Sequence, residues 1–163
     1  MDPYIISDLQ EIAPDLLDAL RQAGLKIATA ESCTGGNIAH HLTLVAGCSD
    51  VYMGGAVTYS NEAKADILGV DEAVIESEGA VSEPVVRAMA EGACRRFHTQ
   101  CAVATSGIAG PSGGTDDKPV GTVWTAVVTP RGTFSELYHL AGPRSEIIDK
   151  ATLLVLRLLL NHL

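Results

Sequence analysis

A hydroxyl and a thiol stand side by side at Ser32 and Cys33, inside the segment Thr29-Ala30-Glu31-Ser32-Cys33-Thr34-Gly35-Gly36. The segment follows the apolar run Leu25-Lys26-Ile27-Ala28 and precedes Asn37-Ile38-Ala39-His40-His41-Leu42, so it reads as a tight strand-to-helix turn. Such a turn lifts a side chain out of the sheet and leaves backbone N–H groups unpaired beside it. Those are the parts of a serine nucleophile, Ser32, with an oxyanion hole built from the turn at Cys33, Thr34, Gly35 and Gly36. The same residues also suit a plain helix cap, with Ser32 or Thr34 satisfying the first helical N–H groups. The turn by itself does not separate the two readings.

A serine hydroxyl needs a base at neutral pH. The five histidines offer no obvious one: His40 and His41 are adjacent in a helix and point apart, His98 and His162 sit near helix ends, and His139 is late in a strand. Lysine serves instead when desolvation lowers its pKa. In Val57-Thr58-Tyr59-Ser60-Asn61-Glu62-Ala63-Lys64, Tyr59 ends a strand and Lys64 lies in the first turn of the next helix, which allows both to converge on one pocket. Taken singly they also read as a strand-end tyrosine and a solvated helix lysine. Gly107-Ile108-Ala109-Gly110-Pro111-Ser112-Gly113-Gly114 follows a buried strand and fits either a phosphate cradle or a structural turn. It lacks the GK[ST] ending of a Walker A loop. Lys118 and Arg144 are candidate charge partners for an anion.

The elements that must position these residues follow from periodicity. Leu9, Ile12, Leu16, Leu17 and Leu20 recur at helical spacing, which predicts an amphipathic helix over about 7–23, ended by Gly24 and kinked or restarted at Pro14. Strands are predicted at 25–30, 52–59, 101–105, 121–129 and 134–140, the last two joined by a turn at Pro130-Arg131-Gly132. Helices are predicted at 37–44, 62–68 capped by Ser60-Asn61 and stopped by Gly69, 72–78, Ser82 to Phe97 with Ser82 as N-cap, and 145–161. Helices alternating with short apolar strands argue an α/β fold, and the late hairpin makes the sheet mixed.

At 163 residues and 47% hydrophobic, residues 1–163 form one domain with ample core material, mostly aliphatic because aromatics are 4% of the chain. A formal charge of −9, with no basic cluster longer than Arg95-Arg96, argues against nucleic acid as a partner. No apolar run reaches the length of a membrane span. Cys33, Cys48, Cys94 and Cys101 follow neither a signal peptide nor a zinc-like spacing, so free thiols in a cytoplasmic protein and no metal site are expected. Apolar faces on the Leu-rich terminal helices lead us to expect a homo-oligomer, a dimer or higher.

Five motifs, in order along nearly the whole chain, resemble the CinA C-terminal domain family, whose characterised members are nicotinamide-nucleotide amidases. They are Ala30-Glu31-Ser32-Cys33-Thr34-Gly35-Gly36, Val57 to Lys64, Gly79-Ala80-Val81-Ser82-Glu83, Ser106-Gly107-Ile108-Ala109-Gly110-Pro111, and Lys118-Pro119-Val120-Gly121-Thr122-Val123. The resemblance implies a single-domain, three-layer α/β/α sandwich. It also implies hydrolysis of nicotinamide mononucleotide to nicotinate mononucleotide and ammonia, without metal or cofactor. Ser32 is then the nucleophile, assisted by Tyr59 and Lys64, with Cys33 a neighbour packed inward. Thr105, Ser106, Gly107, Ile108, Ala109, Gly110 and Arg144 are expected to bind the nucleotide substrate. The family's larger members carry a separate N-terminal domain, so the chain reads as the stand-alone form. Two positions depart from the family pattern: Cys48 stands where a smaller residue or serine is commoner, and Pro143 precedes Arg144 where an aspartate is frequent. A silent nucleotide-binding module and an amidase for another small amide are the alternatives.

Overall fold

The computed structural model describes residues 3–163. Helix α1 (Pro3–Ala23) leads into β1 (Ile27–Glu31), and α2 (Asn37–Thr43) and a short 3-10 turn connect β1 to β2 (Tyr52–Val57). Three helices follow, α3 (Asn61–Leu68), α4 (Glu72–Glu78) and α5 (Glu83–Phe97). Then come β3 (Cys101–Gly107), the hairpin of β4 (Thr122–Thr129) and β5 (Gly132–His139), and α6 (Arg144–His162). The strand order is β2-β1-β3-β4-β5. Strand β1 is parallel to β2 and β3, whereas β4 is antiparallel to β3 and β5, so the sheet is mixed as the late hairpin predicts.

Side chains alternate across a strand, and here that alternation sorts the core into two layers. Ile27, Cys101, Val103 and Val127 face α1, α2 and α6 with Leu16, Leu17, Leu20, Leu156 and Leu159. Ala28, Ala30, Ala102, Ala104 and Ala126 face α5 and the ends of α3 and α4. Alanine on that side lets α5 lie close to the sheet. The α3–α5 contact is equally tight, because a Cβ at Gly92 would meet the Leu68 carbonyl oxygen at 2.1 Å.

The connection from β1 to β2 runs over one face and that from β2 to β3 over the other, as right-handed crossovers in opposite directions require. The reversal places a switch point at the carboxyl ends of β1 and β3, where open α/β sheets build their sites. Register confirms the neighbourhood, with Glu31 opposite both Val57 and Thr105.

Two local expectations differ from the structure. Helix α1 begins earlier, at Pro3, and runs without a break through Pro14. Its buried leucine face offsets the one backbone hydrogen bond that proline removes. Ser82 does occupy the N-cap of α5, but its hydroxyl donates to the Gly79 carbonyl at 2.7 Å instead of accepting from the helix.

Candidate functional site

The Ser32 turn bends back through Gly35 and Gly36, both at positive φ (59° and 101°), a conformation in which a Cβ would be strained. Glu31, the last residue of β1, points to the α2 face, and Ser32 points to the opposite one. There, 8% exposed, the Ser32 hydroxyl lies 3.1 Å from Lys64 Nζ. Helix α3 brings the lysine there. Ser60 caps it by accepting from the Ala63 N–H, and helical side chains lean toward their own N-terminus. Lys64 therefore runs back over Ser60 and donates to the carbonyls of Thr58 at 2.8 Å and Tyr59 at 3.4 Å.

Lys64 is only 1% exposed and has no carboxylate within ion-pair distance among the described residues. Burial pushes its pKa below the ordinary lysine range, and its place at a helix N-terminus acts in the same direction. In the neutral amine, two N–H bonds suit the two carbonyls and the lone pair is left for the Ser32 hydroxyl proton. That is a serine poised beside a desolvated base.

The neighbouring thiol is chemically different. Cys33 is buried against Ala109, Val123, Ile147 and Ala151, and burial pushes its pKa up to about 12. It stays a thiol at neutral pH, whereas the thiolate is the nucleophilic form. We predict that iodoacetamide at neutral pH leaves Cys33 of the folded chain unmodified. Alkylation of Cys33 in a peptide map of the folded chain would contradict the assignment.

Of the turn's N–H groups, that of Gly35 is directed to the Ser32 carbonyl and that of Gly36 to the Glu31 carboxylate. The N–H groups of Cys33 and Thr34 have no acceptor among the described residues. The oxyanion donors expected from the sequence thus narrow to two. A cleft of about 290 Å³ opens beside them, lined by Cys33, Tyr59, Gly107, Ile108, Ala109, Gly110, Ser112, Gly113 and Arg144. The amides of Ala109, Gly110, Ser112 and Gly113 likewise lack a protein acceptor among the described residues, as an anion cradle requires.

The other expected residues divide. Arg144 spans the mouth of the cleft, donating from Nη1 to the Gly110 carbonyl at 2.8 Å and from Nη2 to the Tyr59 hydroxyl at 2.9 Å. Tyr59 therefore meets Lys64 through its backbone carbonyl, while its phenol, on a 60% exposed residue, belongs to the cleft rim. Thr105 lies beneath the turn: its carbonyl accepts from the Ser32 N–H and its hydroxyl bonds Thr34 Oγ1 at 2.8 Å. Ser106 faces away and donates to the Ala80 carbonyl, and Lys118 Nζ is bonded to the Glu78 carbonyl. Ser112 and Gly113 also line the cleft, within the glycine-rich stretch 107–114 that reads from sequence as a candidate phosphate cradle. A larger groove of about 370 Å³ between α3 and α4 is lined by Glu62, Asp66, Glu72 and Glu76, a poor match for an anionic substrate. Among the described residues no group of three or more His, Cys, Asp or Glu is gathered as a metal site.

The family model for the CinA C-terminal domain matches residues 9–163. The chain belongs to the CinA C-terminal domain family. A CinA-like protein of Mycolicibacterium paratuberculosis is 53% identical over 150 residues, covering 89% of this chain and 35% of the relative. One from Syntrophobacter fumaroxidans is 49% identical over 142 residues, covering 87% and 34%. The chain thus spans about a third of the length of the curated relatives it matches. Among solved structures, the competence/damage inducible protein CihA of Agrobacterium tumefaciens superposes with a TM-score of 0.92 at 40% identity, covering 94% of each chain. A CinA superfamily protein of Escherichia coli gives 0.93 at 35%, covering 96% of this chain and 92% of that one. The CinA fold is therefore shared over almost the whole domain. Among the described residues no helix is long and apolar enough to cross a membrane.

Proposed function

We propose that this CinA domain is an amidohydrolase that converts nicotinamide mononucleotide and water to nicotinate mononucleotide and ammonia. The observation that carries the reading is the buried Lys64 amine on the Ser32 hydroxyl, with no carboxylate within ion-pair distance among the described residues. Lys64 takes the hydroxyl proton as Ser32 Oγ attacks the carboxamide carbon, and the amides of Cys33 and Thr34 receive the oxyanion. The protonated lysine then gives its proton to the departing nitrogen, releasing ammonia and leaving a nicotinoyl ester on Ser32. Water, deprotonated by the same amine, hydrolyses the ester and restores the serine. Neither metal nor cofactor enters any step.

The loop amides at Ala109, Gly110, Ser112 and Gly113 and the Arg144 guanidinium bind the substrate phosphate. Tyr59 holds Arg144 in place through its phenol and orients Lys64 through its carbonyl. An anion must approach a chain of formal charge −9, so a cation at the cleft mouth matters most at low salt. Arg144→Ala is expected to raise KM about tenfold, the worth of one charge-assisted phosphate contact, with kcat within about threefold of wild type. Steady-state kinetics at low and high salt check this, and the KM gap should narrow as salt rises. An unchanged KM would remove Arg144 from substrate binding.

The reading itself is tested by ammonia release from nicotinamide mononucleotide, its riboside and other small amides. Release from the mononucleotide in preference to the rest supports it. Saturable nucleotide binding without any ammonia would identify a silent binding module, and preference for another amide would move the substrate. Gel filtration with light scattering tests the further proposal that the chain works as a homo-oligomer, and a monomer at working concentration would refute it.

A further inference from the structure

Glu31 is fully buried, one residue before the nucleophile proposed above, yet it takes no part in the proton chemistry just described. Strand alternation sends it to the opposite face from Ser32 and Lys64. Its Oε2 accepts from the Thr34 hydroxyl at 2.7 Å, the Gly36 N–H at 3.0 Å and the Ile38 N–H at 3.0 Å, and its Oε1 accepts from the Ala39 N–H at 2.8 Å. A carboxylate is tolerated in an interior when it is hydrogen-bonded this fully, and the N-terminus of α2 is where a negative charge is favoured. The Thr34 hydroxyl also bonds Thr105 on the neighbouring strand, so the same cluster ties the turn to β3.

This arrangement has two effects on the turn. It occupies the first free amides of α2, which would otherwise compete for the oxyanion's place or reshape the loop. It also keeps the Glu31 carboxylate turned away from Lys64, where it would pair with the ammonium and hold the base protonated. The geometry points to Glu31 as the positioning residue of the Ser32 turn: by holding Gly36, Ile38, Ala39 and Thr34 it leaves the amides of Cys33 and Thr34 as the pair that meets an oxyanion. The inference rests on the serine-nucleophile reading of the Ser32–Lys64 pair.

The test uses a small alkyl fluorophosphonate, which reports on the serine and its oxyanion hole without needing the natural substrate. The Ser32 Oγ–P bond forms, the P–F bond breaks with loss of fluoride, the serine proton passes to Lys64, and the phosphoryl oxygen occupies the hole. Intact-protein mass spectrometry gives the labelling rate, and circular dichroism gives the folded fraction at the assay temperature. Wild type is expected to be labelled at Ser32. Glu31→Gln keeps the side chain's shape but turns an amide donor toward backbone donors, and is expected to label about 20-fold more slowly while still folded. In ammonia-release assays the same variant, with its rate normalised to the folded fraction, should still lose kcat while KM stays within about threefold of wild type, which places the loss in the chemical step. Thr34→Val removes one of the four donors and leaves the three amides, so a slowing of roughly 3- to 10-fold is expected. Folded Glu31→Gln labelled within twofold of wild type overturns the inference, as does a slowing fully matched by its unfolded fraction. Should Glu31→Gln fail to fold, Thr34→Val labelled at the wild-type rate overturns it. Wild type that is not labelled at Ser32 sinks the nucleophile reading and this inference with it, whereas labelled wild type with unaffected variants sinks the positioning role alone.

Discussion

On the proposed mechanism, Ser32→Ala is expected to abolish ammonia release from nicotinamide mononucleotide, with kcat falling by about 10⁴-fold or more, the scale on which removal of a serine nucleophile acts. The loss is confined to chemistry. Ser32 contacts Lys64 and the Thr105 carbonyl, while the amides and guanidinium proposed to meet the phosphate lie along 109–113 and at Arg144. Titration calorimetry should therefore return a dissociation constant for the mononucleotide within about threefold of wild type, since only uniform binding survives such a change. The fold should also hold, because the alanine removes one hydroxyl from an interior where its neighbour Cys33 and the Glu31 cluster keep their contacts. A variant that binds but does not turn over separates nucleophile from helix cap, the ambiguity the turn carries when read alone. An alanine variant with full activity would return Ser32 to the capping role.

The second large effect is on the base. Lys64→Met preserves the length and the apolar stem of the side chain but removes the amine, and is expected to lower kcat by about 10³-fold or more. In the proposed mechanism the active form is the neutral amine, so activity should rise with pH through the lysine's depressed pKa and level off above it. That inflection falls below the ordinary lysine value of 10.5 because burial disfavours the ammonium. Residual activity of Lys64→Met should lack the inflection. Stability carries the same signature with its own sign. The folded state binds the Lys64 proton less readily than the unfolded chain, so stability rises with pH between the depressed pKa and 10.5. Melting curves of the two proteins should show wild type gaining relative to Lys64→Met across that window. A wild-type rate profile that stays flat where the lysine deprotonates would rule Lys64 out as the base.

The fold was largely readable from the sequence, whereas the Ser32–Lys64 pair was readable only through its motifs. Apolar runs bounded by glycine fixed the places of β1 and β3, and Ser60 with Gly69 marked both ends of α3, because each is a local signal with a local cause. Ser32 and Lys64 could be singled out because their motifs resemble a family's, not because spacing brings residues 32 apart together; only the sheet does that. What escaped the sequence depends on which way a side chain turns once packed. The Tyr59 phenol belongs to Arg144, 85 residues away, and its backbone oxygen belongs to Lys64, a division no motif encodes. Ser106 and Thr105 are adjacent in the chain, yet strand alternation sends one to the Ala80 carbonyl and the other beneath the turn. Glu31 read as part of a motif with no role of its own, since its four donors assemble only when α2 starts where it does. Pro14 misled in the opposite direction, because a local penalty lost to the packing of five leucine and isoleucine positions along α1.

The claim that a nicotinoyl ester forms on Ser32 is tested most directly by adding hydroxylamine during turnover of nicotinamide mononucleotide and analysing all products. Hydroxylamine competes with water for an acyl-enzyme, so nicotinohydroxamate mononucleotide should appear at the expense of nicotinate mononucleotide, ammonia release should continue undiminished, and Ser32→Ala should give neither product. Ammonia released with nicotinate mononucleotide alone, however much hydroxylamine is present, would contradict the ester and with it the nucleophilic role of Ser32.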